Sequence, residues 1–147
     1  MSKILFYTTR NSYGYLSNFA KYPVIIDDIV WPTTEHYFQA QKTHDPLKKE
    51  SIREASTPAQ AKKMGGNRQL GLRSDWEDVK DDIMMKALRA KFTQYEHLKQ
   101  LLLDTGDSEL IEHTKNDKYW ADGGDGSGKN MLGILLMKLR QELRNNL

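Results

Sequence analysis

Residues 24–42 read VIIDDIVWPTTEHYFQAQK, and this stretch decides the fold class. Two apolar triplets, Val24–Ile26 and Ile29–Trp31, lie on either side of Asp27 and Asp28. Short β-branched runs separated by two turn-forming residues predict a β-hairpin, although Asp-Asp is a weaker turn signal than Asp-Gly. We therefore expect at least one pair of antiparallel strands.

The residues that follow the hairpin predict a helix. Pro32 ends the second strand, and Thr33 or Thr34 is a suitable N-cap because its hydroxyl can accept a bond from a free backbone N–H. The helix is predicted to run from Glu35 to about His44. A hairpin that leads straight into a helix is typical of an α+β fold.

The rest of the chain is predicted to be mostly helical. Apolar spacing and helix-stop residues indicate five further helices and two short strands. The predicted helices are 46–55, 58–64 (with Thr57 as N-cap and Gly65-Gly66 as the stop), 75–92, 95–104 and 130–143, and the predicted strands are 3–7 and 109–113. We expect one α+β domain over residues 1–147, compact and mostly helical with a small β-sheet.

The composition excludes several classes of protein. The 147 residues include no cysteine, which removes disulfides, thiolate nucleophiles and cysteine-based zinc sites. The N-terminal apolar run is too short for a signal peptide, and no segment approaches the roughly 18 apolar residues of a membrane span. The net charge of +2 does not by itself indicate a dedicated nucleic-acid binder. We expect a cytoplasmic protein that does not bind membranes.

The polar residues of the first helix are predicted to share one side. Positions i, i+4 and i+7 lie on the same helix face, which groups Glu35, Gln39 and Lys42. Such a face is either solvated or turned towards a cleft. The density of large aromatic residues around it, beginning with Trp31, favours a cleft.

Histidine spacing does not indicate a metal site. His36 and His44 are eight residues apart and form no His-Glu-x-x-His motif. His97 and His113 have the settings of ordinary helix-surface and strand residues. We therefore expect neither a metal nor another cofactor.

A glycine-rich loop precedes the last helix. Residues 116–130 read NDKYWADGGDGSGKN, and four glycines within six residues permit close approach of the backbone. Backbone N–H groups at the start of the following helix can hold a phosphate, and the alternative is a flexible surface loop. Asp117 and Asp122 lie on either side of Trp120, and with Glu35 they offer the paired carboxylates that glycosidic cleavage requires.

Several short motifs follow one another in a characteristic order. They are Ser17-Asn18-Phe19, Trp31-Pro32-Thr33-x-Glu35-His36-Tyr37-Phe38-Gln39-Ala40-x-Lys42, Arg73-x-Asp75-Trp76, Lys91-Phe92, Leu102-x-x-Thr105-Gly106, Asp117-x-x-Trp120 and Gly128-x-Asn130-x-Leu132-Gly133-x-Leu135-Leu136-Met137-x-x-Arg140. As an ordered set over nearly the whole chain, they resemble the NADAR family, also called YbiA-like proteins. Each motif alone is a weak signal, whereas the ordered set is specific.

The resemblance implies a hydrolase, an N-glycosidase that needs no cofactor. Two substrate classes accompany it. One consists of ribosylaminopyrimidine phosphates, early intermediates of riboflavin biosynthesis, which are split to a pyrimidine and ribose 5-phosphate. The other is ADP-ribose linked to guanine in nucleic acid. Both contain a nitrogen joined to C1 of a phosphorylated ribose, so one site could serve either.

The resemblance also implies site residues. Glu35 and Asp117 would be catalytic, and we expect the two to line one ribose-sized hollow. The substrate-binding residues would be Asn18, Phe19, Trp76, Trp120 and Asn130, to which the polar helix face adds Gln39. Lys42 is a further catalytic candidate, because its amine could form a Schiff base with a ring-opened ribose or else orient Glu35. The family often has glycine where this chain has Ala121, which is expected to restrict the loop.

Two alternatives to a small-molecule hydrolase stay open. A non-catalytic module that binds ADP-ribose or a nucleotide would use the same loop and aromatic residues without needing Glu35. A repair enzyme acting on ADP-ribosylated DNA would use a basic cluster to contact the phosphate backbone. The cluster comprises Lys48, Lys49, Arg53, Lys62, Lys63, Arg68 and Arg73, and its alternative is a solvated helical surface.

Overall fold

The computed structural model describes residues 2–147 and contains short strands and six α-helices among them. The strands are β1 (Lys3–Phe6), β2 (Val24–Ile26), β3 (Ile29–Trp31) and β4 (Glu109–Glu112). The helices are α1 (Thr34–Ala40), α2 (Pro46–Arg53), α3 (Pro58–Gly65), α4 (Trp76–Gln94), α5 (Glu96–Asp104) and α6 (Met131–Asn145). The mostly helical α+β class is therefore confirmed.

The chain groups into two units by its internal contacts. One consists of residues 18–91, and the other of residues 2–17 together with 92–147. The prediction of one domain over residues 1–147 stays a prediction. Among residues 2–147, no helix combines the length and the apolar character needed to cross a membrane.

The hairpin of the 18–91 unit is confirmed, with the predicted turn. β2 and β3 pair antiparallel, with Val24 opposite Trp31. Asp27 and Asp28 both have positive φ values, 53° and 66°. Two adjacent left-handed residues form the turn that matches the twist of a two-stranded hairpin, and aspartate tolerates this conformation better than most side chains.

Helix α1 begins where the sequence predicts and ends earlier. The hydroxyl of Thr33 accepts a bond from the N–H of His36 and caps the helix. The helix was expected to reach His44, but it ends at Ala40. After Ala40 the N–H groups of Lys42 and Thr43 bind the carbonyls three residues back, which closes the last turn, and the N–H of Arg73 takes the carbonyl of Lys42 at 2.8 Å.

The core of this unit forms around the hairpin and α1. The rings of Trp31 and Tyr37 meet edge to face with centroids 5.4 Å apart. Helices α2 and α3 pack on α1, and both begin at the predicted proline. Thr57 caps α3 as predicted, and the side chain of Asp45 caps α2, which was not predicted. Buried apolar residues complete this core: Val24, Ile26, Ala40, Ile52, Ala61, Leu70 and Ala87.

The second unit is built on a parallel strand pair. β1 pairs with β4, and Lys3 lies opposite Glu109. Helix α6 packs on β4. At Gly133 this approach is so close that a Cβ would lie 2.0 Å from the carbonyl oxygen of Leu110. The motif residue Arg140 donates to the Thr105 hydroxyl and to the carbonyl of Ser108, both at 2.9 Å, which fixes the connection before β4.

Candidate functional site

Glu35 lies in a buried helix rather than on a solvated surface. All seven residues of α1 are buried. Glu35 is 7% exposed and Gln39 is 4% exposed, so the interpretation of a solvated polar face is wrong. A buried carboxylate needs a hydrogen-bond partner, since an unpaired buried charge is costly.

Gln39 supplies such a partner. Its Nε2 donates to Oε2 of Glu35 over 2.7 Å, one helical turn away. Because a carboxylate only accepts hydrogen bonds, this bond fixes which end of the amide faces Glu35. The amide oxygen of Gln39 is buried and has no hydrogen-bond donor among residues 2–147.

Asn18 holds the start of α1. Its backbone carbonyl accepts from the N–H of Glu35 at 3.3 Å, and its side-chain oxygen accepts from the hydroxyl of Thr34 at 2.8 Å. Its side-chain nitrogen points at the sulfur of Met84, 3.4 Å away. The structure therefore gives Asn18 a role in positioning Glu35. Phe19, which follows it, is half-buried.

Lys42 and Trp76 come together with Phe38. The rings of Phe38 and Trp76 have centroids 5.1 Å apart, and the ammonium nitrogen of Lys42 is 5.8 Å from each centroid. A cation at this distance from two aromatic faces is attracted by their quadrupoles. Since α1 ends at Ala40, Lys42 lies in the turn after the helix and not on the predicted helix face.

The Arg73-x-Asp75-Trp76 motif has a structural explanation. Arg73 forms a two-point ion pair with Asp75, through bonds of 2.6 and 3.0 Å. Its backbone N–H and one guanidinium nitrogen also bind the carbonyls of Lys42 and Gln41. These bonds attach the start of α4 to the end of α1, and this places Trp76 beside Phe38.

His36 is a structural histidine. Its Nε2 donates to the carbonyl of Ala55 at 3.0 Å, and its Nδ1 accepts from the hydroxyl of Thr33 at 2.8 Å. Burial lowers the pKa of His36 below its ordinary value, despite the bond to Ala55. Both ring nitrogens of His36 form hydrogen bonds within the protein. No group of three potential ligands from His, Cys, Asp and Glu occurs among residues 2–147.

Asp117, in the second unit, organises the turn that carries Trp120. One oxygen of its carboxylate accepts from the backbone N–H of Tyr119 and of Trp120, both at 2.8 Å. The Tyr119 and Trp120 rings meet edge to face, 4.9 Å apart, and the amine of Lys129 lies 5.3 Å from the Tyr119 ring. The Asp-x-x-Trp spacing is thus what a side-chain-capped turn requires.

Asp122, the other carboxylate that the sequence offers near Trp120, is the more buried of the two aspartates. One of its oxygens accepts from the N–H groups of Thr114 and Gly124, and the other accepts from Nδ1 of His113 at 2.7 Å. Burial opposes ionisation, but the bonds from His113 and the two backbone groups hold the pKa of Asp122 below its ordinary value. In the sequence, closeness to Trp120 marks Asp122 and Asp117 alike, so it does not show which of the two is more buried.

The start of α6 is not an open anion site. The N–H groups of Asn130, Met131 and Leu132 donate to the carbonyls of residues 121, 119 and 120. The side chain of Asn130 is also occupied, since it accepts from Glu112 N–H and donates to the carbonyl of Leu110. The phosphate interpretation of this helix start is therefore wrong, and the Asn130 amide joins α6 to β4.

The loop tolerates alanine after the tryptophan. Ala121 is fully buried, and its φ is not positive. A glycine is therefore not needed at this position. The backbone at Ala121 therefore gives no sign of the restriction that was expected there.

Lys91, the first residue of the Lys91-Phe92 motif, is a buried lysine for which the sequence predicts no role. It is 1% exposed, and its amine lies 5.9 Å from the centre of the Tyr22 ring. Burial lowers its pKa from 10.5 to about 7. The burial of Lys91 was not predicted, because helical periodicity alone does not distinguish a buried lysine from a surface one.

Much of the predicted basic cluster is used within the 18–91 unit. Lys48 donates to the carbonyls of Gln69 and Leu70, and Lys49 donates to Gln41. Two cluster arginines form ion pairs, Arg53 with Glu50 and Arg73 with Asp75. The exposed members of the cluster are Lys62, Lys63 and Arg68.

The predicted residues thus fall into two sets. Within the 18–91 unit the structure brings Glu35, Gln39 and Asn18 together through hydrogen bonds, and it brings Lys42 and Trp76 together around Phe38. Phe19 also belongs to this unit, whereas Asp117, Trp120 and Asn130 belong to the other unit. The expectation that Glu35 and Asp117 line one hollow stays a prediction.

Comparison with known proteins identifies the family. The NADAR domain profile matches residues 5–144. A Shigella boydii protein named N-glycosidase YbiA is 55% identical over 140 residues, which cover 95% of this chain and 88% of that protein. A riboflavin biosynthesis protein of Vibrio vulnificus is 41% identical over 143 residues, covering 97% of this chain and 39% of that protein.

A solved structure agrees with this assignment. The NMR structure of the Escherichia coli protein YbiA superposes with a TM-score of 0.92 and 52% identity, over 99% of this chain and 86% of that one. The similarity in sequence and the similarity in fold extend over nearly the whole chain. This chain therefore belongs to the NADAR family.

Proposed function

We propose that this protein is an N-glycosidase, a hydrolase that cleaves the bond between a nitrogen and C1 of a phosphorylated ribose. The observation that carries the proposal is the buried Glu35 carboxylate with its Gln39 hydrogen bond. An acidic group that is buried and oriented by a hydrogen bond from Gln39 suits acid–base chemistry. The relatives that bear the name N-glycosidase support the same reaction class.

Glu35 is proposed to act on the glycosidic bond. Departure of the base leaves positive charge on C1 and the ring oxygen of the ribose, and a carboxylate lowers the energy of that transition state. The same group can take a proton from the attacking water and deliver it to the departing nitrogen, so that C1 gains the hydroxyl and the base leaves in its neutral N–H form. Gln39 keeps the carboxylate in one orientation, which preserves the alignment that such a step needs.

The aromatic residues are proposed to hold the substrate. Phe38 and Trp76 pack against each other beside Lys42, and the small exposed fractions of the two residues, 4% and 6%, are proposed to contact a base or a sugar. Lys42 lies over both rings, where attraction acts on its charged form, so we assign it to substrate contact rather than to a Schiff base. Trp120 and Asp117 stay in the proposal as a binding and an assisting residue, on the strength of the family motif.

A small ribosylated nucleotide is the proposed substrate. The ribosylaminopyrimidine phosphates are favoured because relatives 41% and 39% identical to this chain are named riboflavin biosynthesis proteins. ADP-ribose linked to guanine shares the same bond type and is the second candidate. A DNA substrate has less support, since four of the seven basic cluster residues already have partners within the fold. We assign the cysteine-free chain to the cytoplasm, a reducing compartment.

The test is a product assay on the wild-type protein. The protein is incubated with a ribosylaminopyrimidine 5′-phosphate and, separately, with an oligonucleotide carrying ADP-ribose on guanine. Release of ribose 5-phosphate or of free ADP-ribose, followed by mass spectrometry, identifies the bond that is cleaved. Calorimetry with ADP-ribose runs in parallel. Tight binding without release from either substrate would favour a non-catalytic binding module and contradict the proposal.

A further inference from the structure

Gly65, the last residue of α3, lies directly against the side chain that holds Glu35. A Cβ at this position would be 2.0 Å from Oε1 of Gln39, 2.8 Å from its Cδ and 2.9 Å from its Cβ. Atoms of this kind do not approach so closely without displacement of one of them. The space that any other residue would fill at position 65 is therefore occupied by the Gln39 amide.

The Gln39 amide is held in place by burial and by its bond to Glu35. The residue is 4% exposed, and its nitrogen is bound to Glu35. Its oxygen has no conventional donor among residues 2–147, and the hydrogen on the Gly65 Cα that a Cβ would replace points at that oxygen. Such a Cα–H···O contact is weak, but it keeps the oxygen at Gly65 and the nitrogen at Glu35.

The adjacent glycine has different surroundings. A Cβ at Gly66 would meet only the carbonyl oxygens of Lys62 and Lys63, at 3.5 and 3.8 Å, which are ordinary contact distances. Its φ of −87° is accessible to any residue. The requirement for glycine at position 65 therefore comes from Gln39 and not from the end of the helix.

We propose that Gly65 is a positioning residue for the reaction: by lacking a side chain, it lets the Gln39 amide hold the Glu35 carboxylate in its reactive orientation. The inference rests on the proposed function of Glu35. Gly65 belongs to none of the motifs that connect the chain to its family, and it acts through Gln39 rather than on the substrate. Its effect therefore falls on turnover and not on substrate binding.

The test compares four variants with the wild type in the ribose 5-phosphate release assay: Gly65→Ala, Gly66→Ala, Gln39→Ala and the double variant Gly65→Ala/Gln39→Ala. Gly65→Ala should lower kcat about 10- to 100-fold with KM changed less than about threefold, because misplacement of a catalytic group affects the chemical step. Gly66→Ala is the matched control and should stay within about twofold of the wild type in both constants.

The double variant separates a positioning role from a general structural one. Without the amide, the contacts of the added methyl group at 2.0 and 2.8 Å are gone, and the 2.9 Å contact with the Cβ of residue 39 remains. The loss from Gln39→Ala to the double variant should therefore be at least about fivefold smaller than the loss from the wild type to Gly65→Ala. Losses that multiply would overturn the inference, and so would a wild-type kcat in Gly65→Ala. If Gly65→Ala does not fold, the double variant should fold, and its failure to do so would also overturn it.

The outcome for Gly65 is distinguishable from the outcome for the proposed function. If the wild type releases no product from either substrate, the glycosidase proposal fails before any variant is compared. If the wild type and Gly65→Ala turn over equally while Glu35→Gln is inactive, only the positioning role fails.

Discussion

The buried Lys91 predicts an unusual dependence of stability on pH. Its amine is 1% exposed, and burial lowers its pKa from 10.5 to about 7. Between these two values the unfolded chain carries a proton that the folded chain lacks. The free energy of unfolding contributed by this group therefore rises with pH through that window. Lys91→Met removes the titrating group at similar volume.

The size of the effect follows from the two pKa values. A shift from 10.5 to about 7 corresponds to about 5 kcal/mol between the fully protonated and fully deprotonated limits. Linkage places roughly 2 kcal/mol of this between about pH 7 and pH 9. The wild type should therefore gain about 2 kcal/mol over Lys91→Met between about pH 7 and pH 9.

Urea unfolding at about pH 7, 8 and 9 measures this difference. The matched control is Lys62→Met, at an exposed position of α3, which should keep the pH dependence of the wild type. Parallel changes in the stability of the wild type and of Lys91→Met would refute the reasoning, because the amine would then titrate alike in the folded and unfolded chains.

Three further predictions concern His36, Arg73 and Gly133. Burial lowers the pKa of His36, so as the pH falls below about 6.5 this side chain is protonated in the unfolded chain before it is protonated in the folded chain. Acid therefore favours unfolding of the wild type. In urea unfolding between about pH 7 and pH 5, His36→Gln should lose less stability than the wild type. Arg73→Met should release Trp76, shift the tryptophan fluorescence and lower kcat/KM about tenfold, and an unchanged spectrum with full activity would count against the positioning of Trp76. Gly133→Ala should destabilise the fold by at least about 2 kcal/mol in thermal denaturation, because its methyl group would lie 2.0 Å from the Leu110 carbonyl, and a wild-type Tm would contradict the close approach of α6.

Local chemistry made much of the fold predictable from the sequence. The Asp27-Asp28 turn and the Thr33 and Thr57 caps depend on residues within a few positions of one another, and all of them are observed. The early end of α1 was not predicted. The turn after it is held by the bond from Arg73 to the Lys42 carbonyl, which joins residues far apart in the chain.

The sequence motifs supply the candidate site residues but not the contacts that these residues make. The side chains of Asp117 and Asn130 bind backbone groups of the loop and of β4, a function that their motif positions do not reveal. Asp122 lies in the same loop, and its bonds to His113 and to two backbone groups become visible only in the folded chain. Hydrogen-bond partners of this kind are set by tertiary structure, and spacing along the chain does not encode them.

The role of Glu35 is tested most directly by the turnover of Glu35→Gln measured beside Glu96→Gln, which makes the same change at an exposed position in the first turn of α5. Glu35→Gln should keep the circular dichroism spectrum of the wild type while its kcat falls at least about 100-fold, and Glu96→Gln should be fully active. A Glu35→Gln protein that releases ribose 5-phosphate at the wild-type rate would contradict the assignment of the chemistry to this carboxylate.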